Sequence, residues 1–138
     1  IYVIDVFAHN PAEVVCAMKA CQNVGKRIFA WFQPHGFGPL KFMHKELEEE
    51  CIAALRPEDT FLLSDVYYAG GTVNREVTSA DVAAVMKSKS NQVQFFPDRK
   101  EMLPYLKQNC TTGDAILIMG ARDTTLSDFA KEVVEYLK

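Results

Sequence analysis

Residues that could bind or activate a small polar ligand are concentrated in four short stretches of the sequence. The stretches span residues 5–10, 33–39, 65–72 and 120–123. They contain two of the three histidines, His9 and His35, together with the pairs Gly70-Gly71 and Arg122-Asp123. Histidine exchanges protons near neutral pH, arginine holds a carboxylate through two parallel hydrogen bonds, and glycine lets backbone approach a ligand closely. This chemistry is typical of a site for a small charged substrate.

The first stretch has two interpretations. Asn10 suits the N-cap of a helix, Pro11 its first position, and Glu13 the third, where it can complete a capping arrangement. The stretch is therefore either only the end of a strand and the cap of a helix, or a ligand loop at the carboxyl end of a strand, where open α/β sheets place their sites. His9 likewise either bonds to backbone near the cap or faces a ligand.

The other candidates also carry alternatives. His35 lies among proline and glycine residues, which favours a functional role, whereas His44 lies on the polar half of a helix and is predicted to be on the surface. Gly70-Gly71 either turns the chain or allows close approach to a ligand. Asp123 is either a cap of the last helix or joins Arg122 in binding a charged substrate.

Hydrophobic periodicity predicts five strands that alternate with five helices. The strands are expected at about 2–6, 27–32, 60–64, 92–96 and 115–119. The helices are expected at about 11–24, 40–55, 78–87, 98–109 and 125–137. Thr78 or Ser79 is expected to cap the third helix, and Asp98 with Glu101 repeats the capping signature at the start of the fourth. The order indicates an α/β, Rossmann-like, doubly wound and mostly parallel sheet with helices on both faces. The four polar stretches would then meet at one edge of that sheet.

Two local features complete this prediction. Gly25 is expected to be the C-cap of the first helix. The acidic residues of the second helix, Glu46, Glu48, Glu49 and Glu50, are expected to face water.

Composition limits the classes of function. The chain of 138 residues, 49% hydrophobic and 24% charged, is expected to form one domain, 1–138, and the absence of an initial Met suggests a fragment of a longer protein. A net charge of -3 argues against binding to nucleic acid or to an anionic membrane. The four cysteines lack CxxC spacing and do not cluster with the histidines, which predicts reduced thiols in a cytoplasmic protein and no metal site.

Several nucleotide and hydrolase motifs are absent from the sequence. It contains neither G-x-x-x-x-G-K-[ST] nor G-x-G-x-x-G, so neither a Walker-type nor a standard dinucleotide site is complete. It also lacks the G-x-S-x-G elbow of α/β hydrolases. The loop after the fifth strand has no lysine, which argues against a receiver domain.

The four stretches together resemble the C-terminal domain of the Mur ligases. Asp5 to Pro11 resembles the motif D-D-Y-x-H-x-P, and Phe32 to His35 matches F-Q-P-H. Asp65 to Gly71 is similar to D-I-Y-x-A-G-E, and the segment from Gly113 to Asp123 is similar to G-D followed by M-G-A-G-D. The motifs occur in the family's order, span nearly the whole chain, and are most similar to those of the members that add L-alanine to UDP-N-acetylmuramate.

The resemblance implies a part in an ATP-dependent amide ligase of peptidoglycan precursor synthesis. Such enzymes join an amino acid, here L-alanine, to UDP-N-acetylmuramate through an acyl phosphate. An N-terminal domain binds the UDP-sugar, and a central domain binds ATP and Mg. The C-terminal domain closes over the site, contacts the nucleotide and presents the amino acid. On this resemblance, the present chain alone is expected to be inactive and to hold no cofactor tightly.

The resemblance also assigns residues to the two sides of the site. It places His9, His35, Tyr67, Lys41 and Arg122 on the amino-acid side. It places Asp5, Phe7 and Asn10 nearer the nucleotide. None of them need be a chemical catalyst, because the work of the domain would be positioning and exclusion of water.

The chain departs from the family pattern at three positions. Val6 stands where the family has its second aspartate, and Asp5 would face the other side of the strand. The arginines that follow Q-P-H in the alanine-adding enzymes are absent from the segment 36–40. Arg122 stands where the family has glycine. We expect Arg122, with Lys41, to take over from the missing arginines and hold the amino-acid carboxylate.

Two other functions remain open on the sequence. The same fold could serve as a stand-alone module that binds a small ligand or a partner, because fold does not determine function. It could also be a ligase domain that has lost its nucleotide contact, as Val6 suggests. The discriminating feature is whether a domain with a phosphate-binding loop precedes this sequence in its protein.

Overall fold

A computed structural model describes residues 1–67, 77–121 and 123–138. The described strands are β1 (Tyr2–Phe7), β2 (Ile28–Phe32), β3 (Thr60–Leu63), β4 (Val93–Phe95) and β5 (Ala115–Gly120). They form one sheet in the order β1-β5-β2-β3-β4, and each neighbouring pair is parallel. The prediction of an α/β fold with a parallel sheet is confirmed.

Helices cover both faces of the sheet. The helices are α1 (Pro11–Gln22), α2 (Phe37–Ala54), α3 (Ser79–Lys89), α4 (Met102–Asn109), which follows a 3₁₀ turn at Arg99–Glu101, and α5 (Leu126–Leu137). Buried residues of α1, α2 and α3 form a core with one face of the strands, and those of α4 and α5 form a second core with the other face. Every residue of β2 and β5 is buried, as expected for strands covered on both sides.

Side-chain caps start three of these segments where the sequence predicted. The Asn10 side chain accepts a hydrogen bond from the Glu13 N–H at 2.9 Å. Thr78 and Asp81 form a reciprocal capping box at α3, and Asp98 with Glu101 forms another at the 3₁₀ turn. Each cap satisfies N–H groups that the first helical turn leaves without a partner.

Alternate residues of β2 face the two cores. Ile28, Ala30 and Phe32 pack toward α1 and α2, whereas Trp31 packs toward α5. The Trp31 ring lies 5.2 Å from the Phe129 ring, and its indole N–H donates to the Ser64 hydroxyl at 2.9 Å. The buried indole is therefore satisfied, which links β2 to the end of β3.

Two buried aspartates hold the opposite, amino-terminal edge of the sheet. Asp59 accepts from the Ile28 N–H at 2.8 Å, from the Arg56 guanidinium at 2.9 Å and from the Gln22 amide at 3.0 Å. Asp114 accepts from the Arg27 guanidinium at 3.0 Å. These bonds connect the starts of β2, β3 and β5, away from the candidate site.

The prediction that Gly25 is the C-cap of α1 is wrong. The cap is Asn23 in a right-handed conformation, and among the described glycines only Gly36 and Gly113 have positive φ. A Cβ atom on Gly25 would lie 2.6 Å from the Cβ of Ala115. Gly25 is therefore needed because the chain passes close to the start of β5.

Two predictions for α2 also need correction. The helix begins at Phe37 rather than near Leu40, because Gly36 turns the chain with a φ of 77° and Pro39 fits in the first helical turn, where N–H groups need no intrahelical acceptor. Glu48 does not face water: it is 4% exposed, and its Oε2 lies 3.1 Å from Nδ1 of His44. His44, predicted to be on the surface, is accordingly half-buried beside it.

Among the described helices, none has the length and apolar character needed to cross a membrane.

Candidate functional site

The described parts of the four polar loops meet at the carboxyl edge of the sheet, as predicted. The loop after β2 is the centre of this arrangement. It contacts the loop after β1 through its histidine, the loop after β3 through backbone, and the loop after β5 through a glutamine side chain. All of these contacts are made by residues 33–36, so they lie within two positions of His35.

The first contact joins two histidines. The ring centroids of His9 and His35 lie 5.3 Å apart, and the rings meet edge to face at 69°. The ring centroids of His9 and Phe7 lie 5.4 Å apart, also edge to face, at 70°. The His9 backbone N–H also donates to Oε1 of Glu13 at 3.2 Å, and the same oxygen lies 3.3 Å from Nε2 of the ring. His9 therefore combines the cap role with a place in the site.

The second contact is a short extension of the β2–β3 pairing. Tyr67 donates its N–H to the Pro34 carbonyl at 2.8 Å and accepts from the Gly36 N–H at 3.1 Å. His35 and Tyr67 thus form a one-residue parallel bridge beyond the strand ends. His35 is 8% exposed, so its imidazole lies in a largely dry position next to the half-exposed ring of His9.

The third contact is a network around Asp123. Its Oδ2 accepts from the Gln33 amide at 2.8 Å and from the Arg99 guanidinium at 2.9 Å. Its Oδ1 accepts from the backbone N–H and the hydroxyl of Thr125 at 2.8 Å and 2.5 Å. Burial would raise the pKa of Asp123, but the hydrogen bonds from Thr125 and Gln33 and the charge of Arg99 lower the pKa overall. Both carboxylate oxygens are therefore engaged inside the protein.

This network favours the structural interpretation of Asp123. Its carboxylate turns the chain into α5 and joins two loops. Arg99, its cationic partner, is absent from the sequence prediction. The signal that could have found it is the Asp98–Glu101 capping box, which places Arg99 at the carboxyl end of β4, the same edge of the sheet.

The residues expected on the nucleotide side lie on β1 and the loop that follows it. Phe7 is 69% exposed, and Asn10 caps α1. Asp5 points to the α5 side of the strand, where it accepts from the Ser127 hydroxyl at 2.8 Å. Val6 faces the α1 side and packs against that core. The two neighbours face opposite sides, as the period of a strand requires, so the Asp5 carboxylate does not reach the face that Val6 occupies.

An open groove lies beside these residues, between β1 and α1. It has a volume of about 500 Å³ and is almost entirely apolar. Its lining includes Ile4, Val6, Phe7, Cys16, Ala17 and Ala20. The sequence prediction did not identify this groove, because it forms between side chains of two elements that are each exposed on one side.

The remaining candidates lie at the start of α2 and in two segments outside the described residues. Lys41 is exposed on α2, whose first turn carries no acidic side chain and no side-chain cap. Arg122 and the segment 68–76, with Gly70-Gly71, lie outside the described residues. Within the described part of the chain, no three His, Cys, Asp or Glu side chains are grouped as a metal site.

Comparison with known proteins agrees with the resemblance of the motifs. Residues 1–122 match the family described as "Mur ligase, glutamate ligase domain". A UDP-N-acetylmuramate–L-alanine ligase from Acetivibrio thermocellus is 32% identical over 124 residues, and one from Pelotomaculum thermopropionicum is 35% identical over 125 residues. Each alignment covers 89% of this chain and 26% of the relative, so the chain spans about a quarter of the length of these relatives.

A solved structure supports the fold. It is described as a domain from a UDP-N-acetylmuramate:L-alanyl-gamma-D-glutamyl-meso-diaminopimelate ligase of Haemophilus ducreyi 35000HP. It superposes with a TM-score of 0.66 at 21% identity and covers 99% of this chain and 90% of that chain.

Proposed function

This chain belongs to the C-terminal, glutamate ligase domain family of the Mur ligases, and on that premise we propose that it forms the amino-acid side of an ATP-dependent amide ligase. The complete protein would join an amino acid, L-alanine, to UDP-N-acetylmuramate in peptidoglycan precursor synthesis, in the cytoplasm. The observation that carries this proposal is the convergence of three loops on His35, each from a segment that resembles a family motif.

The present chain would not hold ATP or Mg on its own. Its sequence has no phosphate-binding loop, and its described residues include no cluster of metal-ligating side chains. The ATP phosphates and Mg would be bound by other domains of the same protein, as in the family. The contribution of this chain would be to hold the amino acid in place and to keep water from the activated carboxyl group.

The amino-acid side would be lined by His9, His35 and Tyr67. His35 is buried and held through the backbone of its loop, so its position is set before any ligand arrives. A rigid, largely dry imidazole makes stronger hydrogen bonds to a bound polar group than an exposed one does. The partly exposed ring of His9 beside it gives the amino acid access from solvent.

The carboxylate of the amino acid would be held by cationic side chains. The segment 36–40 lacks the family's arginines, whereas Arg122 is gained in the loop after β5. Lys41 lies one turn into α2, and the first turn of this helix carries no acidic side chain, so its N-terminal end is favourable for an anion. We assign the carboxylate to Arg122, with Lys41 as a second cation.

The nucleotide side would lie around Phe7 and Asn10. Phe7 presents an exposed aromatic ring at the end of β1, suited to contact a nucleobase, and Asn10 follows three residues later as the N-cap of α1. Asp5 belongs to this side of the site by motif, although its side chain bonds to Ser127. The family's acidic contact is missing at Val6.

The experiment that tests this proposal uses the full-length protein. ADP release is measured with UDP-N-acetylmuramate, ATP and Mg, with and without each of the common amino acids. We expect ADP release that requires an amino acid, with the highest kcat/KM for L-alanine, and no ADP release from the 138-residue chain. A full-length protein that releases no ADP with any amino acid would contradict the proposal.

Val6 favours two alternatives strongly enough to include them. A stand-alone module or a ligase domain without nucleotide contact would tolerate an apolar residue at this position. The sequence of the gene upstream of Ile1 and the ADP-release assay together distinguish these possibilities. A module would lack a phosphate-binding loop there, whereas a domain that has lost nucleotide contact would show the loop but no turnover.

A further inference from the structure

Arg99 forms a bridge between β4 and the loop after β5. One guanidinium nitrogen lies 2.9 Å from Oδ2 of Asp123, and another donates to the Thr125 hydroxyl at 2.7 Å. The guanidinium carbon lies 4.8 Å from the centre of the Phe129 ring. The side chain is 22% exposed, and the three residues that it contacts here belong to one segment, 123–129. A planar fork is well suited to fix two acceptors at once.

The carboxylate that Arg99 holds also holds the loop after β2. Oδ2 of Asp123 accepts from both Arg99 and the Gln33 amide. Gln33 is 7% exposed, and its backbone N–H donates to the Met119 carbonyl at 3.1 Å. A Cβ atom on Gly120 would lie 3.2 Å from the Gln33 carbonyl oxygen, which shows how closely the end of β5 packs against this residue.

We propose that Arg99 is a positioning residue of the amino-acid site. Its guanidinium orients Asp123, Asp123 orients Gln33, and Gln33 sets the path of the loop that brings His35 against His9. This inference rests on the proposed function, because the site it organises is the amino-acid side described above. Arg99 acts through Asp123 and not by touching the substrate.

The hydrogen bonds of Asp123 favour a positioning role for Arg99 over a role in folding stability alone. Asp123 uses Oδ1 to turn its own segment into α5 and Oδ2 to reach two other segments. Without Arg99, water could reach Oδ2 of Asp123 and would compete with the Gln33 amide for that oxygen. The loop after β2 would gain freedom at its first residue, next to His35. The expected consequence is weaker binding of the amino acid, with little effect on ATP.

The test compares Arg99→Met and Arg99→Lys with Lys100→Met in the full-length protein. Methionine keeps an unbranched chain for packing on Phe129 but removes the fork. Lysine keeps the charge but reaches one acceptor at a time. Lys100 is the exposed neighbour in the same 3₁₀ turn and serves as the matched control.

Two readouts are needed. The first is the ring signals of His9 and His35 in protein labelled with [13C]histidine, which report the ring contact without any turnover. The second is the KM for L-alanine and for ATP. In Arg99→Met we expect shifted ring signals and a KM for the amino acid raised about tenfold to a hundredfold, with the KM for ATP within about twofold. Arg99→Lys should be intermediate, and Lys100→Met should match the parent protein.

The outcomes separate this inference from the proposed function. If the ring signals of Arg99→Met match the parent protein, the positioning role is wrong. It is also wrong if the parent protein is an active ligase and the KM for the amino acid does not rise, or rises together with the KM for ATP. If the parent protein releases no ADP, the proposed function fails, and the ring signals alone decide whether Arg99 sets the position of His35.

Discussion

The imidazole rings of His9 and His35 lie 5.3 Å apart, edge to face, at the carboxyl edge of the sheet. His9 follows β1 and His35 follows β2, and these strands are not neighbours, because β5 lies between them. The contact therefore spans the width of one strand and closes the edge of the sheet above β5. It defines the centre of the proposed amino-acid side.

Replacing His35 should weaken amino-acid binding. In His35→Gln we expect the KM for the amino acid of the full-length ligase to rise about tenfold, about 1.4 kcal/mol, because the ring that lines the site is lost. The KM for ATP should stay within about twofold. His44→Gln, which changes a histidine of α2 paired with Glu48, is the control and should leave both constants near the parent values. Equal effects of the two substitutions would show that His35 does not line the amino-acid site.

Arg122 should carry the amino-acid carboxylate. In Arg122→Ala the KM for the amino acid should rise about tenfold to a hundredfold, since a charged hydrogen-bonded pair is lost. Lys131→Ala removes an exposed cation of α5 and should have no effect. Steady-state kinetics of the full-length protein measure the KM for the amino acid in both variants. An unchanged KM in Arg122→Ala would show that another group binds the carboxylate.

Asp59 should make stability depend on acid pH. Burial would raise the pKa of Asp59, but hydrogen bonds from Arg56, from the Ile28 N–H and from Gln22 lower it below its ordinary value of 3.8. A carboxyl group with a lowered pKa in the folded state stabilises the protein fully above about pH 4, and this contribution is lost as the pH falls below that value. Urea unfolding from pH 7 to pH 2.5 measures it.

Two substitutions show whether that contribution belongs to Asp59. Asp59→Asn should cost about 2–4 kcal/mol at pH 7, because Arg56 and the Ile28 N–H lose a charged acceptor in a buried position, and should flatten the acid limb of the pH profile. Glu58→Gln removes the exposed neighbour 3.4 Å from Arg56 and should cost less than about 1 kcal/mol. A pH profile that is unchanged in Asp59→Asn would assign the acid sensitivity to other carboxyl groups.

Gly25 and Gly38 should respond to alanine in opposite directions. A Cβ atom on Gly25 would meet Ala115 at 2.6 Å, so Gly25→Ala should lower the free energy of unfolding by about 1–3 kcal/mol. A Cβ atom on Gly38 would have no heavy atom within 4 Å. Because the residue lies in α2, where alanine is favoured over glycine, Gly38→Ala should raise the free energy of unfolding by up to about 1 kcal/mol. Chemical denaturation of the two variants tests the assignment, which fails if Gly25→Ala is neutral.

The cysteines should differ sharply in reactivity. Cys16 is exposed, whereas burial raises the pKa of the Cys21 thiol to about 11 and that of the Cys51 and Cys110 thiols to about 12. Because the thiolate is the reactive form, a disulfide reagent at pH 8 should modify Cys16 rapidly and the other three only after unfolding. Cys16→Ser should abolish the rapid phase. A rapid phase that persists in this variant would show that Cys21, Cys51 or Cys110 is accessible in the folded protein.

Local sequence patterns were sufficient for the elements of this protein. Helical and strand periodicities, together with the caps at Asn10, Thr78 and Asp98, predict each described helix and strand to within a few residues. They do so because a cap or a hydrophobic stripe depends on residues a few positions apart. The polar loops were also recognisable, since loops at the ends of buried parallel strands collect residues that the core cannot hold.

The contacts among these elements required the folded chain. The position of β5 between β1 and β2 brings Asp123, with its partner Arg99, to Gln33 in the loop after β2. It also brings Gly25 close to the start of β5. The burial of Glu48 beside His44 likewise depends on what packs against α2. None of these follows from local periodicity, because strand order and helix packing are set by the free energy of burying all the elements together. The residues that could do chemistry were therefore visible in the sequence, while the contacts through which Arg99 would orient them were decided by the tertiary structure.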